Sequence, residues 1–183
     1  PLDLAPTAST TAALALGILA DERAVPTLAS LMRSDDEGQR LVGKAVPPRT
    51  RAFAAYGLGL AGNKSPKNEM RQTIVEHLLD PLDGERGAQP DIKVGAISAL
   101  GLIPLDWASS AAVEESGSNA AIAANRATLL RYLIQRMSPD TRGKQGGDKD
   151  FRVRSQVPIA AARLLASHDE IPADMLEVRG EVI

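Results

Sequence analysis

One stretch of the sequence has the glycine and lysine spacing of a phosphate-binding loop. Residues Gly38 to Lys44 match G-x-x-x-x-G-K, in which backbone N–H groups and a lysine surround nucleotide phosphates. The next position should carry Ser or Thr to bind Mg²⁺, but it is Ala45, and a charged segment rather than an apolar strand precedes the motif. The sequence therefore predicts a solvated loop between helical repeats here.

The residues that could bind a metal or act as nucleophiles do not form a recognisable set. The chain has no cysteine and only two histidines, His77 and His168, which are far apart in the sequence. It thus lacks both the ligands of a catalytic zinc site and a thiol nucleophile. The segment Asp148-Lys149-Asp150 supplies fewer oxygens than Ca²⁺ requires. We therefore predict no catalytic residue, no metal site and no cofactor.

The composition is that of a folded helical protein with balanced charge. Of 183 residues, 44% are hydrophobic and 3% are aromatic, so the core must consist mainly of aliphatic side chains, which suits closely packed helices. The net charge of −2 argues against a nucleic-acid partner, because proteins that follow phosphate backbones carry a positive field. No apolar run reaches the roughly 20 residues of a membrane span. The absence of cysteine is compatible with any compartment, so localisation stays open.

A short phrase of small and aliphatic residues recurs at a fixed period. It reads AALALG at 12–17, AAYGLG at 54–59 and AISALG at 96–101, so that successive copies lie 42 residues apart. Apolar repeats of this length are typical of stacked helix pairs, each of which needs its neighbours to bury its apolar face. The phrase predicts an all-α fold, an α-solenoid of about four antiparallel helix pairs.

Helical periodicity and turn residues place the four pairs at about 7–35, 49–80, 91–138 and 151–180. The whole chain, 1–183, is predicted to be one repeat domain. Because it opens with proline and not methionine, we expect it to be a segment of a longer protein.

Details of the elements are predicted from capping residues and prolines. Thr7 or Ser9 would cap the first helix, and Pro81 would lie in the loop after the second pair. One continuous helix is expected over 119–137. Pro158 should kink the last long helix or mark its first turn. A fourth copy of the phrase is assigned to Leu164, which is 64 residues after Leu100.

Two further features accompany the phrase. Arg51 and Lys93 lie three residues before Ala54 and Ala96, and the turn DERAVP at 21–26 follows the first copy. With these features the chain resembles the HEAT repeat family, and is most similar to the short bacterial HEAT-like repeats of the phycobilisome-lyase type. The resemblance implies a HEAT-like superhelix. It also implies a protein-binding scaffold, which most members are, although a minority are enzymes.

The function expected from this resemblance is a non-catalytic scaffold that docks another protein or another domain of its own chain. The second helix of each pair would line the inner face. The predicted contact residues are Arg33, Arg71, Arg131, Arg136 and Trp107. Two alternatives remain open at this point, a HEAT-like enzyme or lyase subunit and a nucleic-acid-binding HEAT-like domain.

The repeat assigns Leu58 to the seam between helices, and this assignment can be tested by Leu58→Asp. The substitution would bury an unpaired carboxylate, so we expect a loss of more than about 4 kcal/mol of stability, and thermal denaturation should find no folded domain. A variant that kept its melting temperature would contradict the core assignment.

Overall fold

The computed structural model describes residues 6–83, 88–107, 118–137 and 148–166, and these residues contain helices and turns without any strand. A 3₁₀ turn, Glu22–Ala24, precedes the second helix. The helices are α1 Pro6–Leu19, α2 Val25–Arg33, α3 Asp36–Val42, α4 Pro48–Lys64, α5 Asn68–Asp83, α6 Pro90–Leu100, α7 Asn119–Ala123, α8 Arg126–Gln135 and α9 Phe151–Leu165. The described part of the chain is thus all-helical, as predicted.

The segment with phosphate-loop spacing is a helix and not the predicted loop. The Asp35 carboxylate accepts the Gly38 N–H at 3.0 Å and caps α3, which ends at Gly43 in a left-handed conformation with φ 79°. A Cβ atom on Gly38 would lie 2.3 Å from the carbonyl oxygen of Ser30 in α2. Gly38 therefore allows α3 to pack closely against α2, and Gly43 terminates α3.

Three further boundary predictions are wrong. Helix α1 begins at Pro6, so Thr7 and Ser9 lie inside the helix and neither is its cap. Helix α5 continues through Pro81 to Asp83, because a proline near a helix end removes only one backbone hydrogen bond. The segment 119–137 contains two helices, since the Asn125 side chain accepts the Thr128 N–H at 3.0 Å and starts α8 anew.

Pro158 lies within α9. The predicted second helix of the fourth pair, around 171–180, lies outside the described residues.

The helices form two layers. Helices α1, α4, α6 and α9 lie side by side, each in contact with the next, and are called the row helices below. Helices α2, α5 and α8 pack against this row. Between the layers lie fully buried leucines of both, namely Leu28, Leu58, Leu78, Leu100 and Leu130. None of the helices in the described ranges combines the length and apolar character that a bilayer span requires.

Neighbouring row helices approach each other at small residues. A Cβ atom added to Gly17 would lie 2.3 Å from the Cα atom of Gly57, and one added to Gly59 would lie 2.7 Å from the Cα atom of Ala99. The third contact is equivalent, because a Cβ atom on Gly101 would lie 2.6 Å from the Cα atom of Ala160. The same contact thus joins α1 to α4, α4 to α6 and α6 to α9.

This contact corrects the register of the fourth copy. Gly57 and Ala99 immediately precede Leu58 and Leu100, so Ala160 in the same role makes Ala161 the equivalent of those leucines. The spacing from Leu100 is therefore 61 residues, and not the 64 that the assignment to Leu164 required. The mistake arose because the sequence of α9 has an apolar pair at 164–165 that imitates the phrase one helical turn later.

The row contact predicts that Gly59→Ala destabilises the protein. The added methyl group would overlap the backbone of Ala99, and overpacking of this kind costs about 1–3 kcal/mol, more than the helix propensity that alanine gains. Urea denaturation should report this loss. The matched addition of bulk at an exposed helical alanine, Ala120→Leu, should change the free energy of unfolding by no more than about 0.5 kcal/mol. Equal effects of the two variants would contradict the close approach.

Candidate protein-contact surface

The predicted contact residues are distributed over the second layer and one connecting segment. Arg33 is the last residue of α2, Arg71 lies near the start of α5, Arg131 lies in α8, Arg136 directly follows α8, and Trp107 follows α6. The structure brings Arg33 and Arg136 to the same half of α5 from two sides. Arg71 and Trp107 have other neighbours.

Arg33 joins α2 to α5. Its Nη1 atom lies 3.3 Å from Nδ1 of His77 and 3.7 Å from Oδ2 of Asp80, and its Nε atom lies 3.4 Å from Oδ2 of Asp35. The side chain is 37% exposed. Arg33 is therefore oriented by contacts within the chain while part of its side chain remains exposed.

Arg136 joins α8 to α5 on the opposite side. It donates a hydrogen bond to the carbonyl oxygen of Leu82 at 3.1 Å and forms an ion pair with Asp83, and its guanidinium lies 4.7 Å from the centre of the Tyr132 ring. The Tyr132 hydroxyl donates to Oδ2 of Asp83 at 2.9 Å. With 12% exposure, Arg136 has a mainly structural environment.

We call these residues together the α5 polar cluster. Its members are Arg33, His77, Asp80, Asp83, Tyr132 and Arg136. The amide of Asn119 in α7 adds a longer contact to Asp80 at 3.4 Å. Four helices are thus connected through the carboxyl-terminal half of α5. The cluster presents charges of both signs on the second layer.

No protein-family model, no curated protein and no solved structure matches the chain.

Within the part of the chain that the structure describes, no three residues among His, Asp and Glu lie close enough to hold a metal ion. His168 lies outside the described residues.

Arg71 and Trp107 take part in packing. Arg71 donates to the carbonyl oxygen of Ser65 at 2.9 Å and to that of Pro104 at 2.7 Å, and its side chain is 18% exposed. The Trp107 ring lies 4.7 Å from the guanidinium carbon of the buried Arg126. These contacts connect the start of α5 and α8 to the ends of the row helices. Arg131, the fifth predicted residue, is partly buried on α8.

Sequence reasoning missed the acidic members of the cluster. His77, Asp80 and Asp83 follow one another at three-residue spacing, which places them on one face of a helix. The helix was expected to end at Asp80-Pro81, so this face was not apparent. The spacing would have revealed it had the helix been continued through Pro81.

His77 has an environment that disfavours its charged form. Burial is the main reason why the pKa of His77 lies below its usual value, and the positive charge of Arg33 lowers this pKa further. The negative charges of Asp80 and Glu76 act in the opposite direction. An Arg33 N–H that donates to Nδ1 requires this nitrogen to be unprotonated. Tyr132 differs, since burial raises its pKa and keeps the hydroxyl as a donor to Asp83.

The lowered pKa of His77 predicts a loss of stability in mild acid. Below the usual value of 6.5 the unfolded chain binds a proton that the folded chain does not, so the free energy of unfolding falls with falling pH until the lower folded pKa is passed. One group contributes at most about 1.4 kcal/mol per pH unit. His77→Gln keeps an acceptor for Arg33 and removes this titration. Urea denaturation at pH 7.5 and 5.5 should show a larger loss for the original chain than for the variant. Equal losses would contradict the assignment.

Proposed function

We propose that this chain is a HEAT-like α-solenoid segment that acts as a non-catalytic protein-interaction scaffold. The observation that carries the proposal is the small-residue contact repeated between α1 and α4, α4 and α6, and α6 and α9. A repeated contact between successive units is what a solenoid requires, because each repeat packs only on its neighbours. Extended surfaces of such arrays commonly bind other proteins.

The docking surface in this proposal is the second layer, formed by α2, α5 and α8. Its support is the α5 polar cluster, where partly exposed charges are already oriented by contacts within the chain. A side chain that is held before binding loses less conformational entropy when a partner engages it. The mixed signs favour a partner surface that also carries both acidic and basic groups, either on another protein or on another domain of the same chain.

The proposed contact residues differ in their accessibility. Arg33 has a partly exposed side chain and is the first residue on which the proposal depends. Arg71 and Arg136 would act mainly by holding α5 in position, since their side chains are largely buried in contacts within the chain. Arg131 and Trp107 complete the proposed set as partly buried members.

The proposal is tested by charge reversal of Arg33. The immobilised chain would first be used to capture proteins, and a captured protein would then be purified and its dissociation constant measured. We expect Arg33→Glu to weaken this binding by about tenfold or more, because one attractive charge pair becomes repulsive. The melting temperature of each variant reports whether the fold is retained.

Arg23→Glu is the matched control for this experiment. Arg23 carries the same charge, is fully exposed on the 3₁₀ turn and pairs only locally with Asp21 among the contacts described. Its reversal should leave the dissociation constant within about twofold. If Arg33→Glu and Arg23→Glu bind the partner equally well, the second layer around Arg33 is not the docking surface.

A further inference from the structure

Arg33 connects α2 to α5 through an imidazole and a carboxylate that lie one helical turn apart on α5. Its Nη1 atom lies 3.3 Å from Nδ1 of His77, which is a hydrogen bond, and 3.7 Å from Oδ2 of Asp80, which is a longer ion pair. Among the described residues no other side-chain hydrogen bond joins these two helices. The direct polar link between α2 and α5 therefore depends on one imidazole nitrogen.

The chemistry of the two side chains fixes the protonation state of this link. A guanidinium has only N–H donors and stays charged, so Nδ1 of His77 must accept the hydrogen bond and the ring proton must be on Nε2. A second ring proton would place a donor on Nδ1 opposite the Arg33 donor and a positive charge opposite the guanidinium. The contact between Arg33 and His77 is thus compatible only with a neutral imidazole.

The charged groups around His77 favour a different arrangement once the imidazole is protonated. Within α5 the negative charges of Glu76 and Asp80 act on His77, and from α2 the positive charge of Arg33 opposes them. From α7, the Asn119 side chain contributes a neutral amide, which contacts Asp80 at 3.4 Å. A protonated His77 would therefore repel Arg33 and attract Asp80, which lies one turn further along the same face.

Arg33 has a second carboxylate within reach, outside α5. Its Nε atom lies 3.4 Å from Oδ2 of Asp35, in the turn between α2 and α3. The other oxygen of this carboxylate accepts the Gly38 N–H at 3.0 Å, so the start of α3 holds it in place. Burial acts to raise the pKa of Asp35, but hydrogen bonds from Gly38 and Ser30 and the charge of Arg33 hold this pKa below the usual value. Asp35 therefore stays ionised in mild acid and can retain Arg33 on its own.

We propose that His77 is a proton switch that sets the orientation of Arg33 on the second layer. With neutral His77, Arg33 reaches across to α5 as in the structure. A proton taken up from solvent by Nδ1 breaks the hydrogen bond from Arg33, so that Arg33 keeps only Asp35 and the imidazolium takes over Asp80. The use of this switch to regulate docking rests on the proposed function, whereas the switch itself is a property of the isolated chain.

The first part of the test follows the imidazole signals of the 183-residue chain by NMR during an acid titration. The chain has two histidines, so His168→Gln assigns the signals of His77. We expect Arg33→Met to raise the pKa of His77 by about 0.5 or more, about a threefold gain in proton affinity, because a neighbouring positive charge is removed. Asp80→Asn should lower this pKa by a similar amount, since the imidazolium loses its carboxylate.

Arg40→Met is the matched control for the titration. Arg40 carries the same charge as Arg33 but is an exposed residue of α3 that pairs with Glu37. Its removal should leave the pKa of His77 within about 0.1, because solvent screens exposed charges that are not in contact.

The second part of the test observes the movement of Arg33 in the original chain. Nuclear Overhauser effects between the Arg33 side chain and the His77 ring should be present above the pKa of His77 and lost below it. The amide resonances recorded in the same spectra report whether the chain remains folded, and we expect them to keep the dispersion of a folded protein. This part needs no variant, so it decides the question even if a substitution prevents folding.

Three results would overturn the proposal. The first is a pKa of His77 that is the same in the original chain and in Arg33→Met. The second is a set of contacts between Arg33 and His77 that persists after the imidazole is protonated. The third is unfolding of the whole chain as His77 is protonated, since proton uptake would then accompany unfolding and not a movement of Arg33. None of these measurements involves a partner, so the switch and the proposed scaffold function can fail independently.

Discussion

A Cβ atom at Gly17, Gly59 or Gly101 would come within 2.3–2.7 Å of the Cα atom of a residue in the next row helix. The absence of a side chain at these positions allows neighbouring backbones to approach, and the repetition of the contact sets the spacing of the whole row. Small residues bury little apolar area, so this contact contributes mainly geometry. The apolar area comes from the leucines between the layers, whose positions depend on the row.

The second layer depends on the row in a different way. Helices α2, α5 and α8 rest on the leucine core, but their positions relative to one another are maintained by polar contacts. Arg33 reaches His77 from one side of α5 and Arg136 reaches Asp83 from the other. Arg136 and Tyr132 are largely buried, and their hydrogen bonds to Leu82 and Asp83 connect α8 to α5. The partly exposed members of the cluster are therefore oriented by helix packing.

Much of the fold could be predicted because it is encoded locally. The phrase of small residues marked α1, α4 and α6, and the turn at 21–26 separated α1 from α2. Predictions failed where a side chain competed with the local pattern. Asn125 starts a new helix by capping Thr128, and Asp35 turns an apparent phosphate loop into α3. The prediction that the helix ends before Pro81 was wrong in the opposite direction, since α5 continues through this residue. The packing of α5 outweighs the loss of one backbone hydrogen bond.

The sequence by itself determined the helical class and the order of α1, α4 and α6, because both follow from spacings of three, four and 42 residues that can be read along the chain. Only the tertiary structure decided what the arginines contact. Arg33 and His77 are 44 residues apart and Arg136 and Asp83 are 53 residues apart, and neither separation is a multiple of the repeat. The register of α9 was decided in the same way, since Ala160 is recognised only by the backbone of α6 against which it packs. A local pattern specifies which face of a helix is apolar, whereas the partner of a charged side chain depends on how the layers are assembled.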